Sequence, residues 1–241
     1  MAFADAFYAV LAPVALAAGL IRGFAGFGGP LVMLPILNRF LDPAASMWVM
    51  MWIDLTANVL LLPQARKVAS GTVLLPLLLG TMVTMPVGVK LLAETDPAIM
   101  KRVIGAAVLA AAALLLSGWR YPWKPQRKTW IVAGMLSGLV MGATSLAVTV
   151  ALFLSADRQT ATQTRGNFIV WVFAATIPLL ILLVVQGAVR AGYLQAIGVL
   201  APLYLFGTMV GTRLQGVAPD HLVRQLVLLL AATIGASAVI L

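Results

Sequence analysis

The chain has 241 residues, 62% of them hydrophobic and 10% charged, and a mean hydropathy of +1.05, more apolar surface than a soluble core of this length can hide. Sixteen Lys and Arg against seven acids give a formal net charge of +9, but the basic residues stand almost entirely in loops, the signature of membrane orientation rather than of nucleic-acid binding. The absence of Cys excludes disulfides, thiolate metal sites and cysteine nucleophiles.

Long apolar runs cover about 7–37, 44–62, 72–92, 98–118, 129–154, 166–186, 191–212 and 222–241. Most suffice for a crossing, which takes roughly 20 apolar residues, and they lack the short alternating segments of an outer-membrane barrel. An all-α polytopic membrane protein in direct contact with the lipid bilayer is therefore expected. The opening MAFADAFYAVLAP lacks the basic n-region and cleavage site of a signal peptide, so the first run is expected to be retained.

The first run, 31 residues, would be about 46 Å long if helical throughout, too long for one straight crossing. It is also interrupted by RGFAGFGG, residues 22–29. Gly23, Gly26, Gly28 and Gly29 would each weaken a helix by roughly 1 kcal/mol relative to Ala, and Pro30 suits the first residue of a new helix. The expectation is a helix through about Gly23, a non-helical break, and a half-helix starting near Pro30. Free N–H groups at such a start attract anions, and glycines let a ligand approach the backbone. The alternative is that the glycines only let helices pack closely. Arg22, the one basic residue at the middle of a run, costs on the order of 3 kcal/mol at mid-membrane, so it either faces a cavity or partner or snorkels to an interface. Its guanidinium could present a fork to carboxylate, sulfonate or sulfite oxygens.

In the second run Asp54 is the only acid within an apolar stretch, and Asn58 follows one turn later on the same face. Asp54 reads either as counter-ion to Arg22 or as a protonatable group coupling transport to a proton gradient. Farther on, GLVMGATSLAVT at 138–149 brings Thr144, Ser145 and Thr149 into an apolar run, where hydroxyls either bond their own backbone or face a substrate. TQTRGN at 162–167 places Gln163, Arg165 and Asn167 at the start of the next helix, with Arg165 a ligand or a membrane-end anchor. The six tryptophans, at 48, 52, 119, 123, 130 and 171, suit interfacial belts.

A weak internal repeat orders these elements. At an offset of 115, Gly19 falls on Gly134, Gly23 on Gly138, Asp42 on Asp157 and Pro63 on Pro178; at 123, Gly88 falls on Gly211, Lys90 on Arg213 and Lys101 on Arg224. Residues 1–118 and 129–241 then form two transmembrane repeats joined by a connector at 119–128. Straight crossings would leave the basic residues evenly split between faces. If the first run of each half is instead a broken hairpin, Arg66, Lys67, Arg120, Lys124, Arg127, Lys128, Arg158, Arg165, Arg213 and Arg224 share one face, against Arg39, Lys90, Lys101, Arg102 and Arg190. That bias fits the positive-inside rule. Each half is thus expected to be a broken helix or hairpin plus three transmembrane helices, an odd parity that makes the repeats inverted, with the connector cytoplasmic. Substrate sites of duplicated transporters lie near the midplane.

No HExxH motif or carboxylate pair occurs, Ser145 has no nearby basic partner in the sequence, and His221 follows a Pro-Asp turn, so neither an enzyme nor a metal or cofactor is expected. An anion channel could use the same Arg22 and broken helix.

Through GLIRGFAGFGGPLVMLPIL at 19–37, the repeat, and GTRLQGVAPDHLVRQLVLLL at 211–230, the chain resembles the TauE/SafE family of sulfite exporters and organosulfonate permeases over nearly its whole length. The resemblance implies transport of a small sulfur-containing anion such as sulfite, a sulfonate or a sulfo-carboxylate, across a bacterial inner membrane in either direction. The first motif matches at Gly23, Gly26, Gly28 and Gly29, whereas the second-half copy carries GATS in place of glycines. The expected mechanism is alternating access. The anion would be held by Arg22 and backbone N–H groups around Gly26, Gly28, Gly29 and Pro30, with Asp54 and Asn58 nearby, and Thr144, Ser145 and Arg165 contributing from the second half.

Overall fold

The computed structural model describes residues 2–117, 126–156, 160–188 and 192–214. They form α1 (Ala2–Ala25), α2 (Gly29–Phe40), α3 (Pro43–Val68), α4 (Gly71–Glu94), α5 (Pro97–Leu116), α6 (Arg127–Thr144), α7 (Val148–Ala156), α8 (Ala161–Val185) and α9 (Gly192–Leu214). Within the described residues, six helices are long and apolar enough to cross a membrane: the Phe7–Ala25 part of α1, then α3, α4, α5 to Leu114, α8 and α9. Side chains such as Val83, 67% exposed, and Phe206, 60% exposed, offer apolar surface that lipid, not water, would cover. The chain is an integral multi-pass membrane protein.

Among the described residues, two apolar runs are broken. The first divides into α1 and α2 around residues 26–28, and the fifth into α6 and α7 around 145–147. Helix α1 continues to Ala25 rather than stopping near Gly23, and α2 starts at Gly29, so Pro30 is its second residue. Helix α2 returns from the break: the Phe40 ring at its far end stacks edge-on against Phe7 of α1, centroids 5.4 Å apart. The run at 222–241 and most of the 119–128 connector lie outside the described residues.

The helices divide into two compact units, Met1–Ala57 with Asp96–Leu116 and Ala188–Leu241, and Asn58–Thr95 with Ser117–Gly187. Each takes segments from both sides of the connector, so the packing units do not coincide with the first and second halves of the chain.

The first unit is built on α1 lying against α9. A Cβ on Gly19 would fall 2.1 Å from the Tyr204 carbonyl oxygen, one on Gly23 2.1 Å from that of Thr208, and ones on Gly207 and Gly211 within 2.3 Å of the carbonyls of Leu16 and Leu20. Small residues spaced by four let the two backbones touch, a source of association that remains in lipid, where the hydrophobic effect between helices is lost. Partner numbers rise together along both helices, so the two run parallel. In the second unit α6 meets α4 in the same manner: a Cβ on Gly134 would lie 2.1 Å from the Leu77 carbonyl oxygen and one on Gly138 2.3 Å from that of Thr81. Gly134 and Gly138 stand 115 positions after Gly19 and Gly23, and the carbonyls they face, of Leu77 and Thr81, stand 127 positions before those of Tyr204 and Thr208.

Polar side chains fix several helix starts. The Asp42 carboxylate accepts from Ala45 N–H at 2.9 Å and caps α3. Thr160 and Gln163 form a capping box on α8, and Asn167 Oδ1 accepts from Ser70 N–H, 2.7 Å away, at the start of α4. Of the four described tryptophans, Trp48, Trp130 and Trp171 are buried against protein and Trp52 is exposed. Trp171 donates from Nε1 to Thr81 Oγ1 at 3.1 Å, which places its polar edge on a partner that an interface would otherwise supply. Trp119 and Trp123 lie outside the described residues.

Candidate functional site

In the first unit the break between α1 and α2 carries a buried charged cluster. Gly26 and Gly28 hold φ of 79° and 101°, a left-handed backbone that a side chain would strain, and Gly28 is the residue from which α2 departs. Arg22 sits in the last turn of α1, 1% exposed, which excludes snorkelling to water. Its Nε donates to Asp54 Oδ1 at 2.9 Å, and its Nη1 donates to the Gly26 carbonyl oxygen inside the break. Asp54, on α3 and 2% exposed, is therefore placed as counter-ion to Arg22. The pair is charge-neutral, the condition under which two ions survive in a low-dielectric interior.

A third member joins from α9. The Tyr204 hydroxyl donates to the same Asp54 Oδ1 at 2.7 Å, and it lies against Gly29: a Cβ there would fall 2.0 Å from the phenol oxygen. Gly29 is bare because Tyr204 occupies the space, and the carboxylate is thereby held beside the opening of α2. Sequence reasoning missed Tyr204. Its one signal was a phenol inside an apolar run, a group that needs a partner when buried.

The second unit carries the other break. Thr144 ends α6 with its hydroxyl donating to the Val140 carbonyl at 2.7 Å and accepting from Leu146 N–H at 3.3 Å, so it turns the chain. Ser145, 1% exposed, adopts φ 58°. Its Oγ, and Oγ1 of Thr149 in the first turn of α7, are buried without a hydrogen-bond partner. Asn58, one turn beyond Asp54 along α3, is fully buried in this unit, and Arg165 is half-buried in the second turn of α8. Pro30, Gly26, Gly28 and Gly29 of the site expected from the sequence therefore gather with Arg22 and Asp54 in one unit, and Asn58, Thr144, Ser145 and Arg165 belong to the other. No cluster of metal-binding side chains occurs among the described residues.

No curated protein and no solved structure matches the chain. A family model does: residues 11–238 match the one described as Sulfite exporter TauE/SafE, so the chain belongs to the TauE/SafE family, a family of sulfite-exporter-type membrane transporters.

Proposed function

We propose that this protein is a secondary transporter that carries a small sulfur-containing anion, sulfite, a sulfonate or a sulfo-carboxylate, across a bacterial inner membrane by alternating access. The observation that carries the reading is the Arg22–Asp54–Tyr204 cluster at the opening of α2. A guanidinium and a helix start both favour an anion, and the anion beside them in this structure is the protein's own carboxylate. A substrate anion bound by Arg22 and the backbone from Gly26 to Pro30 competes with Asp54 for the same positive charge. Proton uptake by Asp54 removes that competition and keeps the site near neutrality when the anion enters, which gives a proton gradient its hold on transport. Asn58, Thr144, Ser145 and Arg165 are polar positions of the second unit proposed for contact with the anion at another stage of its passage.

The two halves are proposed to be inverted repeats, with Arg66, Lys67, Arg127, Lys128, Arg165 and Arg213 on the cytoplasmic face and Arg39, Lys90, Lys101 and Arg102 on the other. Matching glycine seams in α1 with α9 and in α6 with α4 support a duplication.

Flux into proteoliposomes tests the reading, with sulfite, a small sulfonate, a sulfo-carboxylate and a matched dicarboxylate as substrates and Arg22→Gln as the comparison, its folding checked by thermal unfolding. Saturable flux of the sulfur anions that disappears in the folded variant is expected. Conductance at single-channel rates would make the protein a channel, and equal flux of the dicarboxylate would remove sulfur from the account.

A further inference from the structure

The geometry points to a second, charge-neutral oxyanion site: we propose that the hydroxyls of Ser145 and Thr149 and the N–H groups opening α7 together bind the three-oxygen head group of sulfite or an alkylsulfonate. The choice of ligand rests on the proposed transport of sulfur anions; the site rests on the following observations.

Hydroxyls in membrane helices normally donate to the carbonyl four residues back. Here Thr81, Ser137, Ser155, Thr176 and Thr208 all do so, at 2.6–2.8 Å. Ser145 and Thr149 do not: both side-chain oxygens are buried with no partner. They stand at one place in the chain, Ser145 two residues before the α7 N-cap position and Thr149 second in the helix, where the first-turn N–H groups also lack intrahelical acceptors. Two hydroxyls without partners and a helix start thus stand within five residues of one another, Ser145 to Thr149.

Ser145 carries a further mark. It is the one non-glycine residue with positive φ among those described, a conformation in which glycine would be relaxed. A serine there keeps a hydroxyl where the backbone favours none. Sign follows from composition: α6 and α7 contain no acid or histidine, and their only charges, Arg127 and Lys128, stand at the opposite end of α6. The two helices that form the break therefore bring N–H and O–H donors and no carboxylate of their own, suited to an anion that the helix start attracts.

The test uses the full-length protein in detergent, with sulfite and methanesulfonate as probes and thermal unfolding and calorimetric affinity as readouts. Ser145→Gly retains the φ and removes the hydroxyl; Thr149→Val is isosteric, and Thr149→Ser restores the donor. Sulfite should stabilise the native protein, and the first two variants should lose roughly tenfold or more in affinity, as expected for one hydrogen bond to a charged group, with Thr149→Ser recovering most of it. Unchanged affinity in both Ser145→Gly and Thr149→Val, or no binding of either probe to the native protein at millimolar concentration, would overturn the site. Affinity lost in the variants of a protein that shows no sulfite flux would keep the site and remove the transport reading; unchanged affinity with normal flux would do the reverse.

Discussion

Removing Asp54 tests the balance on which the first unit depends. Arg22 and Asp54 are 1% and 2% exposed, and Asp54 Oδ1 accepts from both Arg22 Nε at 2.9 Å and the Tyr204 hydroxyl at 2.7 Å. Asp54→Ala leaves a buried guanidinium without its counter-ion and a buried phenol without its acceptor. Breaking one member of a buried pair costs about 3–5 kcal/mol, and a lone Arg at the centre of a membrane helix costs on the order of 3 kcal/mol, so two independent scales agree. At about 2–4 °C per kcal/mol for a chain of this size, the midpoint of thermal unfolding should fall by roughly 6–20 °C. Arg22→Met with Asp54→Leu removes both charges together, and buried pairs exchanged for apolar residues are often neutral in stability. The double variant should therefore unfold close to the native protein while carrying no anion. Intrinsic fluorescence during heating in detergent reads both. Asp54→Ala melting within about 2 °C of the native protein, or a double variant as unstable as the single one, would refute the argument that charge balance holds this cluster in place.

Further outcomes follow from the same geometry. Tyr204→Phe removes one hydrogen bond to a carboxylate and should cost about 1.5–3 kcal/mol, less than Asp54→Ala, while lowering sulfite flux; stability and flux both at native levels would show that Tyr204 only fills space. Gly138→Ala puts a methyl 2.3 Å from the Thr81 carbonyl oxygen and should destabilise by about 1–3 kcal/mol, measured by the same melting experiment, where an exposed helical glycine would gain from the change. Because the chain has no Cys, single cysteines at Lys67 and Lys101 can be labelled without background. An impermeant reagent should reach the first only from the cytoplasmic side and the second only from outside; labelling of both from one side would contradict the inverted arrangement.

What the sequence disclosed about the fold was what a periodic, local signal can carry. Apolar runs located the helices, and Gly26, Gly28 and Pro30 marked the first break to within two residues, because glycine and proline act on their own turn. The second break was less visible: Ser145 holds its left-handed turn without a glycine, so no residue type announced it. Pairing across the chain was largely hidden. Asp54 could be named as a partner for Arg22 because each is a charge at the middle of an apolar run, whereas Tyr204 lies 150 positions beyond Asp54 and shows its role only once α9 is packed. Gly19, Gly23, Gly134 and Gly138 stood out in the sequence by their common offset of 115, but not as the seams that bring α1 onto α9 and α6 onto α4. The Trp171–Thr81 hydrogen bond was hidden for a related reason: it joins residues 90 positions apart and exists only once α8 packs on α4.

Exchange across a loaded vesicle tests the central claim most directly. Proteoliposomes containing the native protein are preloaded with unlabelled sulfite, and entry of labelled sulfite is followed against vesicles loaded with an inert salt. A carrier whose site faces one side at a time returns faster when loaded, so the account predicts accelerated, saturable entry of label in preloaded vesicles and its loss in the Arg22→Met, Asp54→Leu double variant. Entry that rises linearly with sulfite concentration, is indifferent to preloading and persists in the double variant would contradict alternating access through this site.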